Sequence, residues 1–461
     1  MPATSPWFDG TKVTLVAARG ETIGIQVFHR APGSATLQLT DPKLAVQGFA
    51  VDLHVVRQPS TDMYGGSQGA GRYPDGLTPS AAPATDPAYF ELAIPRDAAP
   101  GVREGELVVA TQRIPVTLTI KQVTLPPPRL DVWAYEDPRE LAWAQGRTDQ
   151  PAAANAGAPT AAERSCIAMF RDHGVMLSPD MSVETYATRK DLLAGFPHVP
   201  ALIPDDPAKV GEVVRAWIAA TTGTGAVPFA IPIDEPRTPE ARAKVRALAE
   251  AVRAAGGGPG TFQFAVTDAP RPEYGDLIDL YISWNAAHLT GDRHERWTYN
   301  GLPPIAGAMT LDAESPGTRT WGWIAWRWKI PVWYVWDALY WHDRHNRKGG
   351  PLPGRALDPS IDSVSFTDSE DRGNFDGVLA LPAPDGCQRT LRLASIRRGL
   401  QDRALLELAA RCDPVATARL AADLVPRALG DARKGDPPAW PTDEAAWERA
   451  RQQLLELASC H

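Results

Sequence analysis

Ala226-Val227-Pro228-Phe229-Ala230-Ile231-Pro232-Ile233-Asp234-Glu235-Pro236-Arg237-Thr238-Pro239 is the stretch on which the reading of this chain turns. Phe229 to Ile233 is an apolar, strand-like run that delivers two adjacent carboxylates, Asp234 and Glu235, into a Pro-Arg-Thr-Pro turn before a helix. Charges at the carboxyl end of a buried strand are where a parallel barrel keeps its chemistry. The dipeptide by itself says little, because Asp443-Glu444 also occurs, in a polar stretch that reads as a helix start. The competing reading of Asp234-Glu235 is an exposed turn and an acidic helix N-terminus.

Outward from this stretch, apolar runs at 199–203, 226–233, 261–267 and 277–284 alternate with helical patterns at about 161–173, 207–220 and 238–255. In the last of these Val245, Leu248, Ala249 and Val252 share one face. The pattern begins at Leu130-Asp131-Val132-Trp133-Ala134-Tyr135 and predicts a parallel sheet, with enough units for a TIM-like (β/α)8 barrel over 129–403. Before it, residues 1–125 carry short alternating runs such as Thr22-Ile23-Gly24-Ile25-Gln26-Val27-Phe28 and Val116-Thr117-Leu118-Thr119-Ile120, as in an antiparallel β-sandwich. Leu125-Pro126-Pro127-Pro128 is a stiff linker between the two. From Leu393 the chain turns helical, and 404–461 reads as a C-terminal extension packed on the barrel, ending in a helix from Glu444 to Leu457.

At 461 residues the chain needs two or three domains. No apolar stretch approaches the roughly 20 residues of a membrane helix. With 55 acidic against 47 basic residues and no basic run, nucleic acid is excluded as the expected partner. Cys166, Cys387, Cys412 and Cys460 lie far apart and match no zinc spacing; they read either as reduced and buried or as containing one oxidised pair. Met1 to Ser5 lacks the features of a secretory signal, although a chain with its signal removed reads the same. His288, His294, His342 and His345 form no compact metal set, and no GxSxG, GxGxxG or P-loop motif occurs, so neither metal nor cofactor is expected and carboxylate chemistry remains.

Seven of the 15 tryptophans lie between Trp321 and Trp341. Exposed indoles stack on the apolar faces of sugars, which favours a carbohydrate site. Trp323 and Trp326 have helical spacing and read as core, whereas Trp336 and Trp341 read as ligand contacts. Tyr135, Glu136, Asp268, Asn285 and the Trp297-Thr298-Tyr299-Asn300 segment all follow apolar runs, and a barrel would gather them at one mouth.

Several segments then resemble glycoside hydrolase family 123 and its relatives. In the sandwich these are ARGETIGIQV (18–27), GRYPDGLTP (71–79), IPRDAAPGVREGELVV (94–109) and IPVTLTIKQVTLP (114–126). In the barrel they are Asp234-Glu235-Pro236, WTYNG (297–301), Arg319 with the Trp-rich run, DGVLALP (376–382) and LRLASIRRGLQD (391–402). The chain departs from the family pattern at Val332, Leu381 and Arg398.

The resemblance implies a bacterial, secreted or periplasmic hydrolase of carbohydrate metabolism, although a cytoplasmic one also fits the chain. It would be an exo-acting, retaining β-N-acetylgalactosaminidase-like enzyme that removes terminal β-linked N-acetylhexosamine from glycans or glycolipids by substrate-assisted catalysis, which has its own carboxylate geometry. Glu235 would be the general acid/base, its proton held by the neighbouring charge and by burial; Asp234 would stay ionised and orient the 2-acetamido group through an oxazolinium intermediate; Tyr299 would hydrogen-bond that group. Trp297, Trp336, Trp341, Asn285, Tyr135 and Asp268 would complete the sugar site. A glycosidase acting on a sugar without a 2-acetamido group, with Asp268 or Asp337 as second carboxylate, and a non-catalytic carbohydrate-binding protein are the alternatives.

Overall fold

A computed structural model describes residues 5–29, 33–127, 129–144, 157–284, 295–343 and 355–460. The first eight strands are β1 (Val13–Arg19), β2 (Thr22–Val27), β3 (Ala35–Leu39), β4 (Ala45–Val56), β5 (Gly71–Pro79), β6 (Ala88–Ala93), β7 (Gly101–Val109) and β8 (Gln112–Thr124). They form two facing sheets, ordered β1-β8-β7-β3 and β2-β6-β4-β5. Pairing is antiparallel except between β1 and β8, which run parallel. Along β8 Ile114, Val116, Leu118 and Ile120 alternate inward, and with Leu15, Ile23, Phe90 and Leu92 they fill the space between the sheets. The second sheet continues into a hairpin from far along the chain: Gly386–Thr390 pairs with β5, and Leu381–Ala383 pairs with Gly386–Thr390.

The next eight strands are β9 (Asp131–Tyr135), β10 (Val175–Ser178), β11 (His198–Pro200), β12 (Val227–Ala230), β13 (Gln263–Val266), β14 (Leu280–Ile282), β15 (Glu295–Tyr299) and β16 (Val332–Val335). All pair in parallel in chain order, β16 returns to β9, and a bridge between Met181 and Ala201 joins the ends of β10 and β11. This is a TIM-like barrel. β12 stops at Ala230, short of the apolar run that announces it, because Pro232 has no N–H to give a neighbouring strand. Inside, Phe229 meets Trp133 and Trp297 edge-on at 4.9 and 4.7 Å between ring centroids. Such edge-to-face pairs suit the ring quadrupoles.

The helices are α1 (Pro138–Ala144), α2 (Ala161–Asp172), α3 (Val183–Arg189), α4 (Pro207–Thr221), α5 (Pro239–Ala254) and α6 (Thr320–Trp328) around the barrel, followed by α7 (Leu391–Cys412), α8 (Pro414–Leu424) and α9 (Glu444–Leu457). α5, which follows the acidic pair, starts where Thr238 accepts the Ala241 N–H and Pro239 supplies a preset φ at the first turn. Its buried stripe is Val245, Leu248, Ala249 and Val252, the expected face. Burying Leu248 contributes about 1.5–3 kcal/mol, so Leu248→Asp would detach the helix. α6 and α7 cross at Gly322 and Gly399, where a Cβ on Gly322 would come within 1.8 Å of the Gly399 carbonyl oxygen.

Sandwich, barrel and tail meet at a buried ionic junction. Asp402 of α7 accepts from Arg319 Nε at 2.8 Å, Arg398 donates to Glu21 at 2.6 Å and to Glu448 at 2.7 Å, and Arg451 pairs with Glu21. Arg398, a departure from the family pattern, is thus absorbed by acids of the β1–β2 turn and α9. Cysteine usage differs from either sequence-based alternative: both pairs are oxidised, Cys166–Cys387 joining α2 to the hairpin and Cys412–Cys460 joining α7 to the chain end. No described helix is long and apolar enough to cross a membrane.

Candidate active site

Asp234 and Glu235 follow β12 by a few residues and stand at the carboxyl end of the barrel. Glu235 has φ 41°, a left-handed backbone that costs a side-chain-bearing residue roughly 1–2 kcal/mol. Its N–H is tied to Thr267, whose Oγ1 accepts it at 2.6 Å and donates to Asp234 Oδ1 at 2.7 Å. One hydroxyl just past β13 therefore fixes the turn and one carboxylate together. On the other side Tyr299, at the end of β15, donates its hydroxyl to Glu235 Oε1 at 3.5 Å. The Tyr299 ring stacks on Trp284, centroids 5.3 Å apart and 9° from parallel, and the Trp284 indole N–H donates to the Tyr299 carbonyl at 3.0 Å. The outer oxygen of Glu235 is held by the exposed guanidinium of Arg237.

The electrostatics at Asp234 differ from the sequence-based expectation of a freely ionised carboxylate. Asp234 is the carboxyl raised above its ordinary value: protein atoms crowding its inner side and then the Glu235 charge oppose ionisation, while the Thr267 hydrogen bond pulls the other way. Glu235 faces a cation instead. Burial pushes Asp180, in the loop after β10, up to about 7. Burial and the charges of Asp180 and Asp234 also raise the Tyr334 hydroxyl, and burial with Glu235 and Asp234 raises that of Tyr299. The carboxyl end of the barrel thus gathers acids and tyrosine hydroxyls, beside which a positive charge would be stabilised.

The other expected residues divide. Tyr135 is partly buried at the end of β9 and Trp336 partly buried after β16, its ring packed against Tyr340 and Phe366 and its N–H accepted through Asn300 Oδ1 at 2.9 Å from the main chain. Trp297 and Trp341 are corrections: Trp297 is 0% exposed among the barrel-filling rings and donates to Glu295, and Trp341 is 2% exposed and donates to the Ala380 carbonyl. Neither ring can reach a substrate. Asp268 is turned into its own loop, where burial would raise it but Arg271 and the Tyr274 hydroxyl at 2.8 Å hold it below the ordinary carboxylate value. Asp337 is buried and accepts the Leu339 N–H at 2.9 Å. Asn285 lies outside the described residues. Sequence reasoning did not single out Thr267, Asp180, Trp284 or Tyr334; the first three follow or end apolar runs, the same signal that marked Asp268 and Tyr135, whereas Tyr334 lies inside one. Among the described residues no group of three or more potential ligands could hold a metal ion.

A sandwich-backed (β/α)8 barrel with neighbouring carboxylates and tyrosines above its strand ends is the class of protein that this fold and site define. The chain shares the fold of a family 123 glycoside hydrolase from Clostridium perfringens, studied for glycolipid glycan hydrolysis, across 97% of its own length and 94% of the other, with TM-score 0.67 and 12% identity. The fold-level expectation from the sequence segments is met there. A family 2 glycosyl hydrolase from Bacteroides cellulosilyticus (11% identity, 70% of this chain and 44% of that one, TM-score 0.28) and a family two carbohydrate esterase from Cellvibrio japonicus (9% identity, 54% and 89%, TM-score 0.17) are too distant to carry an argument. No family model and no curated protein matches the chain.

Proposed function

We propose that this chain is a retaining glycoside hydrolase related to family 123, which removes terminal β-linked N-acetylhexosamine, N-acetylgalactosamine above all, from glycans or glycolipids by substrate-assisted catalysis. The observation that carries the reading is the Asp234-Thr267-Glu235 linkage beside the Tyr299 hydroxyl, on a fold shared with a hydrolase of glycolipid glycans. Glu235 protonates the leaving oxygen and later takes a proton from water. Asp234 accepts a hydrogen bond from the 2-acetamido N–H, so that the acetamido oxygen attacks the anomeric carbon, and its charge opposes that of the oxazolinium ion. Tyr299 steadies the acetamido group from the β15 side, with Trp284 bracing its ring.

Arg237 gives this scheme a resting state. Glu235 is ion-paired with Arg237 in the empty site, and a leaving oxygen that approaches Glu235 would displace that exposed guanidinium. No step calls for a metal or cofactor. Two disulfides fit an oxidising compartment, which favours a secreted or periplasmic location.

A thiazoline analogue of the N-acetylgalactosamine oxazoline is expected to inhibit competitively at micromolar concentration or below, while a galactose-derived mimic without the acetamido group does not. Turnover that the thiazoline leaves untouched would favour the glycosidase that uses a separate nucleophile.

A further inference from the structure

At the amino ends of the barrel strands, opposite Asp234 and Glu235, lies a cavity of about 680 Å³. Its size falls among small-molecule sites, roughly 300–1,000 Å³. The wall is formed by Arg129 ahead of β9, Trp326, Arg327 and Lys329 at the end of α6, and Arg403 and Glu407 of α7. Four cations thus face one acid. Asp131 stands near Arg403 and Asp431 near Arg327, and the cations still outnumber the acids.

Arg403 is only 8% exposed; its Nε donates to Glu407 at 3.2 Å, but its Nη1 has no hydrogen-bond partner. A buried guanidinium N–H without an acceptor is costly; Glu407 takes the Arg403 Nε on Oε1, and its Oε2 stands 3.7 Å from Arg129 with no hydrogen bond of its own. Arg327 is already committed to the carbonyls of Val425 and Pro426, whereas Lys329 has no ion pair among the described residues, Arg129 is held by Glu407 only at 3.7 Å, and Arg403 keeps Nη1 without an acceptor. Lys329 is exposed and has φ 56°, a left-handed backbone that glycine would adopt more readily. Trp326 is partly exposed and offers part of a flat apolar face at the same wall.

We propose that this basal cavity binds an acidic saccharide, a sugar bearing a carboxylate or sulfate, with its ring against Trp326 and its anionic group on Arg403, Arg129 and Lys329. A neutral sugar leaves the Arg403 Nη1 unanswered, and a bare inorganic anion leaves the indole face unused. A guanidinium fork matches a planar carboxylate or two sulfate oxygens, and an indole matches the C–H face of a pyranose. The site is separate from the carboxylates at the mouth and does not depend on their function; in a hydrolase it would hold the protein on acidic glycans.

The test is calorimetric titration of the full chain with N-acetylneuraminic acid, galactose 6-sulfate, galactose and sodium sulfate, on the unaltered protein and on Lys329→Gly, Trp326→Ala and Glu235→Gln. At least one acidic sugar is expected to bind, with galactose and sodium sulfate at least tenfold weaker. Lys329→Gly and Trp326→Ala should each weaken the acidic sugar about fivefold or more, and Glu235→Gln should not. Lys329→Gly suits the local backbone, so its result stands even if Trp326→Ala disturbs packing. Three results would overturn the proposal: no binding of either acidic sugar at millimolar concentration, sulfate binding as tightly as the sugars, or binding lost on Glu235→Gln and kept in Lys329→Gly.

Discussion

Glu448, at the junction of sandwich, barrel and tail, and Asp180, above the barrel, are carboxyls that burial pushes in the same direction, yet they end far apart. At Glu448 the guanidinium groups of Arg398 and Arg319 overrule burial and hold the carboxyl down at about 2. At Asp180 burial prevails and the carboxyl rises to about 7. The junction matches its acids with cations: Asp402 and Glu444 with Arg319, Glu448 with Arg398, Glu21 with Arg398 and Arg451. The mouth gathers Asp180, Asp234 and Glu235 beside tyrosine hydroxyls, with Arg237 touching the outer oxygen of Glu235. Paired charges have a fixed protonation state and act as clamps, whereas Asp180 and Asp234, whose carboxyls burial raises, hold their protons to higher pH, as groups at a catalytic site often do.

The largest effect expected is at the junction. Arg319→Met leaves buried Asp402 with the Trp323 indole N–H and the more distant Arg451, deprives Glu444 of its ion-pair partner, and should cost on the order of 3–5 kcal/mol in urea unfolding. The exposed Arg237→Gln should change the same midpoint by less than about 0.5 kcal/mol. Equal losses from the two would end the distinction between clamp and site.

A smaller effect sharpens the mouth. The Thr267 hydroxyl stabilises ionised Asp234, so Thr267→Val raises that carboxyl further. Since the mechanism needs Asp234 ionised, activity is present above its raised value and is lost as pH falls through it. The acid limb of kcat/KM should therefore move to higher pH in Thr267→Val, by about one unit or less. A limb that stays in place would mean that another group controls it.

The sequence disclosed what is local. The helical spacing of Val245, Leu248, Ala249 and Val252, the alternation along β8, and an acidic pair following an apolar run all report on neighbours a few residues away. The junction and the disulfides do not: Arg451 meets Glu21, and Cys166 meets Cys387, across long stretches of chain with no local trace. The hairpin at 381–390 escaped for the same reason, since its partner strand β5 lies three hundred residues earlier. Trp297 and Trp341 show a second blind spot: an indole looks the same in sequence whether it faces a ligand or packs inward with its N–H accepted by the protein. Thr267 was hidden because a threonine ending a strand is ordinary until its hydroxyl is found between two carboxylate-bearing residues.

The central claim is that Asp234 and Glu235 act as a pair with different duties, and the direct measurement is hydrolysis of two β-N-acetylgalactosaminides by the unaltered chain, Glu235→Gln and Asp234→Asn. On the methylumbelliferyl substrate, whose leaving group needs more help than dinitrophenol, both variants should lose about 10²–10⁴ in kcat/KM. On the dinitrophenyl substrate, which leaves without a proton, Glu235→Gln should recover most of its formation rate for the intermediate while Asp234→Asn stays impaired. No hydrolysis by the unaltered chain, or variants that match it on both substrates, would contradict the account.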